Sequence, residues 1–198
     1  AITYLTTTIQ PLTTAPADGT ETGGEISVDD QLAAYAAAGI TGVSADNLLA
    51  VNAQLRLETT ATDKDSVSDI QAIVTKANTA LALIEEYNNG DGTTVLTNTT
   101  ATNQTVLTKA DYEAVGVTGV SDQAVASGVE GTDNLAAVNA QVLLSNPGEA
   151  NSVAKIQGLV SFGNQAIAYV TTAIQPLTTA PAANNVGENE VSVDDQLA

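Results

Sequence analysis

Carboxylates and side-chain amides are the main residues in this chain able to do chemistry. Histidine and cysteine are absent, which removes the imidazole base, the thiolate nucleophile, the disulfide and any nitrogen or sulfur metal site. The acidic side chains come in short groups, Asp29-Asp30, Asp63-Lys64-Asp65, Glu85-Glu86 and Asp194-Asp195. Their functional reading is calcium, which takes about six to eight oxygens converging from a shaped loop. The nearest approach is Asn88–Gly92, NNGDG, where Asn88, Asn89 and Asp91 offer oxygens beside two glycines. It lacks the closing bidentate glutamate, so helix capping and first-turn charge are the plainer expectation for these acids. No catalytic residue, cofactor or metal is assigned. A carboxylate-only enzyme needs its pair in a buried pocket, and a chain this poor in large side chains builds few. The expectation is a protein that is not an enzyme.

Composition supports that view. The 198 residues include 33 Ala and 28 Thr, one Phe, and no Trp or Met. The apolar share of 43 % is enough for a folded core, though a thin one built of small side chains. Five Lys and Arg stand against 23 Asp and Glu, a net charge of −18. That balance argues against nucleic acid and against an anionic membrane surface. No apolar run is long enough to span a bilayer, and no signal peptide opens the sequence. Asn98 and Asn103 each head an N-glycosylation triplet, a pattern that arises readily by chance where Asn and Thr abound.

The strongest signal is self-similarity. Residues 1–33 match residues 166–198 at 22 of 33 positions with a constant offset. A second repeat lies inside the first. YAAAGITGVSADNLLAVNAQL from Tyr35 matches YEAVGVTGV from Tyr112 and then DNLAAVNAQV from Asp133; DSVSDIQAIVTKANTALALI from Asp65 matches NSVAKIQGLVSFGNQAIAYV from Asn151. The second copy carries an insertion over Ser121–Gly131. The chain therefore reads as two related units with pieces of neighbouring units at both ends.

Each unit predicts three helices. In the first they fall near Asp30–Ala38, Asp46–Leu57 and Ser66–Tyr87; in the second near Lys109–Val115, Asp133–Leu144 and Ser152–Ile174. Gly39 and Gly116 mark left-handed stops, and Ser44 or Asp46, with Thr132 or Asp133, could cap the middle helices. Val67, Ile70, Ile73, Val74, Ala77, Leu81 and Ile84 recur at three- and four-residue steps, as do Val153, Ile156, Leu159, Val160, Ile167 and Val170. Thr-rich stretches join the units, with alternation at 94–97 and 191–193 that permits short strands. The resulting map is 1–28, the end of a third helix plus spacer; 29–87, unit one; 88–108, spacer; 109–175, unit two; 176–193, spacer; 194–198, the start of a further unit. Residues 1–10 would then lack cover for Ile2, Leu5 and Ile9 unless a neighbouring unit or another chain supplied it. Asn52, Asn78, Asn139 and Asn164, with Gln71 and Gln157, occupy matched positions and are expected to be buried amides satisfying loop backbone. Tyr35 and Tyr112 are expected to close each core.

At YEAVGVTGV…DNLAAVNAQV…SVAKIQGLVSFGNQAI the chain resembles repeats of very large secreted surface adhesins of Gram-negative bacteria, the RTX or biofilm type. IEEYNNGDGTT followed by LTKADYEAVGVTG is similar to the junction between units of such arrays. The resemblance implies an extracellular stalk or filament whose partners are neighbouring repeats or identical chains in a polymer. A fainter likeness, in the order short helix, GVTGV, long helix, is to three-helix albumin-binding modules, and implies instead a helix face that grips a host protein. In that case an exposed aromatic such as Phe162 would mark the face.

Overall fold

The structure, a computed structural model, describes residues 1–13, 25–89, 106–122 and 133–170. Every regular element among them is helical and none is a strand. The all-α expectation holds; the stretches expected to form short strands lie outside the described residues. Helix α1 (Ile2–Tyr4) runs into a π-helical turn (Leu5–Ile9). There follow α2 (Val28–Ala37), α3 (Leu48–Leu57), a 3-10 turn (Ala61–Lys64), α4 (Val67–Asn89), α5 (Lys109–Ala114), α6 (Leu135–Leu144) and α7 (Val153–Tyr169).

Local chemistry sets the starts. The Ser27 hydroxyl accepts the Asp30 N–H at 3.1 Å, which begins α2 two residues earlier than expected. A capping box starts α5, where the Asp111 carboxylate accepts both the Thr108 N–H and the Thr108 hydroxyl at 2.7 Å. Helices α3 and α6 begin two residues later than expected, because Asn47 and Asn134 turn their side chains back onto the preceding loop. Ser44 and Asp46 do not cap α3; in unit two the Asp133 carboxylate accepts the Leu135 N–H at 3.1 Å, and Thr132 lies outside the described residues. Gly39 and Gly116 do stop α2 and α5 with φ of +77° and +80°.

The α4 stripe from Ile70 to Ile84 is buried as its spacing predicts, but Val67 at its head is exposed. Helix α4 also continues through Asn88 and Asn89, past the expected boundary at 87. Helix α3 packs on α4 and α6 on α7, while α4 also packs on α5 and α6, and α3 on α5. The two units therefore do not keep separate small cores. One apolar cluster runs from Leu5 through Tyr35, Leu55 and Ile84 to Tyr112, Val142 and Ile156.

The expectation that Leu5 and Ile9 would lack cover within this chain is corrected. Both are fully buried in that cluster, with the π turn against α2. Burial of two such side chains stabilises by about 1.5–3 kcal/mol each, and the half-buried Arg56 guanidinium fastens the segment by donating to the Leu12 carbonyl.

Candidate functional site

A ladder of amides is built twice, once in each unit. Gly42 and Gly119 take φ of +77° and +80°, which lets the loop turn its carbonyl inward. Asn47 sits at the centre of the first copy. Its Oδ1 accepts the Ser44 N–H at 2.7 Å, and its Nδ2 donates to Gly42 O at 2.7 Å and to Asn78 Oδ1 on α4 at 2.6 Å. Asn134 repeats this with Ser121, Gly119 and Asn164 at 2.7, 2.5 and 2.5 Å. One strut further along, the Gln71 amide pairs with both backbone groups of Thr41 at 3.1 and 3.0 Å, and Gln157 does the same with Thr118 at 3.0 and 2.9 Å. Each glutamine thus acts as a peptide group would in a sheet.

The tyrosines close the other end. Tyr35 and Tyr112 are buried, and each hydroxyl donates at 2.7 Å to an asparagine Oδ1, that of Asn52 or Asn139. Burial pushes both hydroxyls well above the ordinary tyrosine value, opposed at Tyr35 by the Arg56 charge. The remaining amide protons are used differently. Asn52 donates to Gln31 Oε1 at 2.8 Å and Gln31 donates on to Ile26 O, whereas Asn139 reaches Leu107 O directly at 2.8 Å. Among the described residues no buried side-chain nitrogen or oxygen lacks a partner. The network is made of amides and phenols tied to loop backbone and to one another. It holds loops in register.

Between the units lies a joint. Gln54 Nε2 donates to Ala114 O at 2.7 Å, and Gly116 comes so close to α3 that a Cβ there would stand 2.9 Å from the Ala53 Cβ. At the end of α4, Asn88 Nδ2 donates to Val142 O at 2.9 Å and Ser145 Oγ at 2.8 Å. The Gly148 N–H is shared by Asn88 Oδ1 and Asn89 Oδ1 at 3.0 and 2.9 Å.

The residues considered for calcium are therefore held otherwise where the structure describes them. Asn88 is buried in the joint, and the Oδ1 atoms of both asparagines face an N–H; Asp91 lies outside the described residues, as do Asn98 and Asn103. Asp29, Asp30, Asp63, Asp65 and Glu86 are exposed, and among the described residues no three acidic groups converge as a metal site would require. Asp194 and Asp195 lie outside them. The expected amides all fall in the ladder or its tyrosine end, but the expectation that they are buried holds only for Asn52 and Asn139. Asn78 and Asn164 are exposed and Gln71 and Gln157 half-buried, because the ladder ties loops along the surface of the third helices. Asn47 and Asn134, which carry most of it, were missed; the Asp-Asn-Leu triplet at 46–48 and 133–135 was the signal, once read for its asparagine instead of its aspartate. No helix among the described residues is long and apolar enough to cross a membrane. The chain matches no known family, no curated protein and no solved structure.

Proposed function

We propose that the chain is a section of a tandem array of three-helix units that serves as the stalk or filament of an extracellular, surface-attached protein, extending it or assembling it into a matrix. The observation that carries this reading is the joint. The end of one unit's third helix completes the core of the unit after it, so each added unit both lengthens the object and finishes its neighbour. The ladder supplies stiffness without large side chains. The charge of −18 keeps exposed arrays from collapsing on one another and disfavours nucleic acid and anionic membranes. Neighbouring repeats or identical chains are the partners, and the chain carries no catalytic activity.

Antibody labelling and negative-stain imaging of the native material test this. The expected result is surface-exposed, thread-like material. Compact intracellular particles of about the size of one folded chain would overturn it. A second reading, a helix face that grips a host protein, is favoured by one observation: Phe162 is 57 % exposed on α7, where its counterpart on α4 is Lys76.

A further inference from the structure

The same third-helix segment occurs three times in the sequence, and two of the three are docked. Leu5, Ile84 and Val170 occupy one repeat position, as do Ile2, Leu81 and Ile167. Leu5 and Ile84 are both 0 % exposed, the first against unit one and the second in the joint with unit two. Val170 is 51 % exposed. The neighbouring helix shows the same contrast. Ala53 is 3 % exposed beneath Gly116, whereas its counterpart Ala140 on α6 is exposed. Gly39, the counterpart of Gly116, has open space where a Cβ would stand.

We infer that Val170 and Ile167 at the end of α7, with Ala140 and Gln141 on α6, form a half of the joint left uncovered among the described residues, and that they take unit one of a second copy of this chain. The two joints already in the chain define the geometry. Ala140 meets Gly39 as Ala53 meets Gly116. The Gln141 amide donates to Ala37 O as Gln54 donates to Ala114 O. Val170 takes the groove against α2 that Leu5 of the π turn holds. That groove is occupied by the chain's own residues 2–9, so association is an exchange: the end of α7 of one copy replaces α1 and the π turn of the next. The proposal rests on the array reading for its purpose and on the paired burial for its location.

Deleting residues 1–13 opens the groove and leaves the α7 face intact. Sedimentation equilibrium at physiological ionic strength should then show a mass that climbs with concentration from one chain toward two and more. The additional change Val170→Asp, at a site exposed in the free chain, should return it to one chain. Mixing that double variant with the intact chain should give a heterodimer and nothing longer, since each brings one working half. A shortened chain that stays folded and monomeric, or one whose association ignores Val170→Asp, overturns the proposal. Should the deletion cost the helical signal of α2 and α3, the intact chain gives the reading instead. Held concentrated at the foot of its melting transition, it should form dimers and longer species that the Val170→Asp and Ala140→Arg chains do not. Equal masses for all three overturn it. None of these outcomes touches the imaging of native material, so failure of the joint and failure of the stalk reading are told apart.

Discussion

Unit one and unit two reach the same loop geometry from different lengths of chain. In unit one a single residue separates Ser44 from Asp46; in unit two the long insertion lies between Ser121 and Asp133. Yet the serine N–H meets the asparagine Oδ1 at 2.7 Å in both, and the bonds to glycine and to the third-helix asparagine recur within 0.2 Å. In both units the same amide holds the two ends of the loop together. Closure entropy depends weakly on length, so extra residues cost little once the ends are held. Where the units differ is at their edges. Ile9 seals the first groove with an apolar side chain, while its counterpart Asn88 seals the second with hydrogen bonds.

The comparison is broken most directly by removing the central amides. Asn47→Ala and Asn134→Ala each strand a serine N–H, a glycine carbonyl and an asparagine Oδ1. Each should cost about 2–4 kcal/mol in urea denaturation. The two losses should agree to within about 1 kcal/mol, and because the core is continuous both should shift a single transition. A much cheaper Asn134→Ala would mean that the insertion carries its own fixings. Two separate transitions would mean that the joint does not couple the units.

A smaller effect separates the joint from the loop. Gly39→Ala and Gly116→Ala impose the same left-handed strain, about 1–2 kcal/mol. Only at Gly116 does the new methyl also run into Ala53 and Leu49, adding about 1–3 kcal/mol of overpacking. Equal losses for the pair would place α3 farther from α5 than the 2.9 Å approach allows.

The repeat, the helical character of the described residues and the buried stripe of α4 were legible in the sequence because periodicity reports which face is covered. The exposure of Val67 and Val170 was not, since the same spacing is written whether or not a neighbour is present to cover it. Recurrence made Asn52, Asn78, Gln71 and their counterparts readable as amides with a shared role, but not which are buried: Asn52 and Asn139 are, whereas Asn78 and Asn164 are exposed. Asn47 and Asn134 were hidden because an asparagine before a helix reads first as a cap, and here its oxygen faces backward to Ser44 or Ser121. The burial of Leu5 and Ile9 depended on which unit the segment joins, a fact of tertiary assembly that no local pattern encodes.

The tyrosines sharpen the comparison at its conserved end. Tyr35→Phe and Tyr112→Phe each leave an asparagine Oδ1 buried without its donor and should cost about 1–2 kcal/mol. Both hydroxyls have folded-state values raised by burial. The unfolded chain therefore loses these protons first as pH rises. Stability contributed by keeping the phenols neutral is fully present below the ordinary value near 10 and declines above it, toward the raised folded values. Equilibrium unfolding followed across alkaline pH should show that decline, and the double Phe variant should flatten it. A slope unchanged in the double variant would assign alkaline unfolding to other groups.

The smallest effect is electrostatic, and its sign is informative. Lys76 pairs with Glu58 in unit one, and Lys109 pairs with Glu113 in unit two at 2.5 Å. The Lys76 side chain is 58 % exposed, so Lys76→Met should cost at most about 0.5 kcal/mol in low salt and nothing measurable in high salt. Unit two has Phe162 at that position and Ser145 opposite it, which already shows that the fold does not need the pair. Against this local attraction stands the self-repulsion of a chain with charge −18, which salt also screens. Five cations cannot offset 23 anions, so screening removes more repulsion than attraction. The melting temperature of the intact chain should rise from low to high salt while the Lys76→Met deficit closes, both read by circular dichroism. A melting temperature that falls with salt would mean that the local ion pairs outweigh the self-repulsion of the chain.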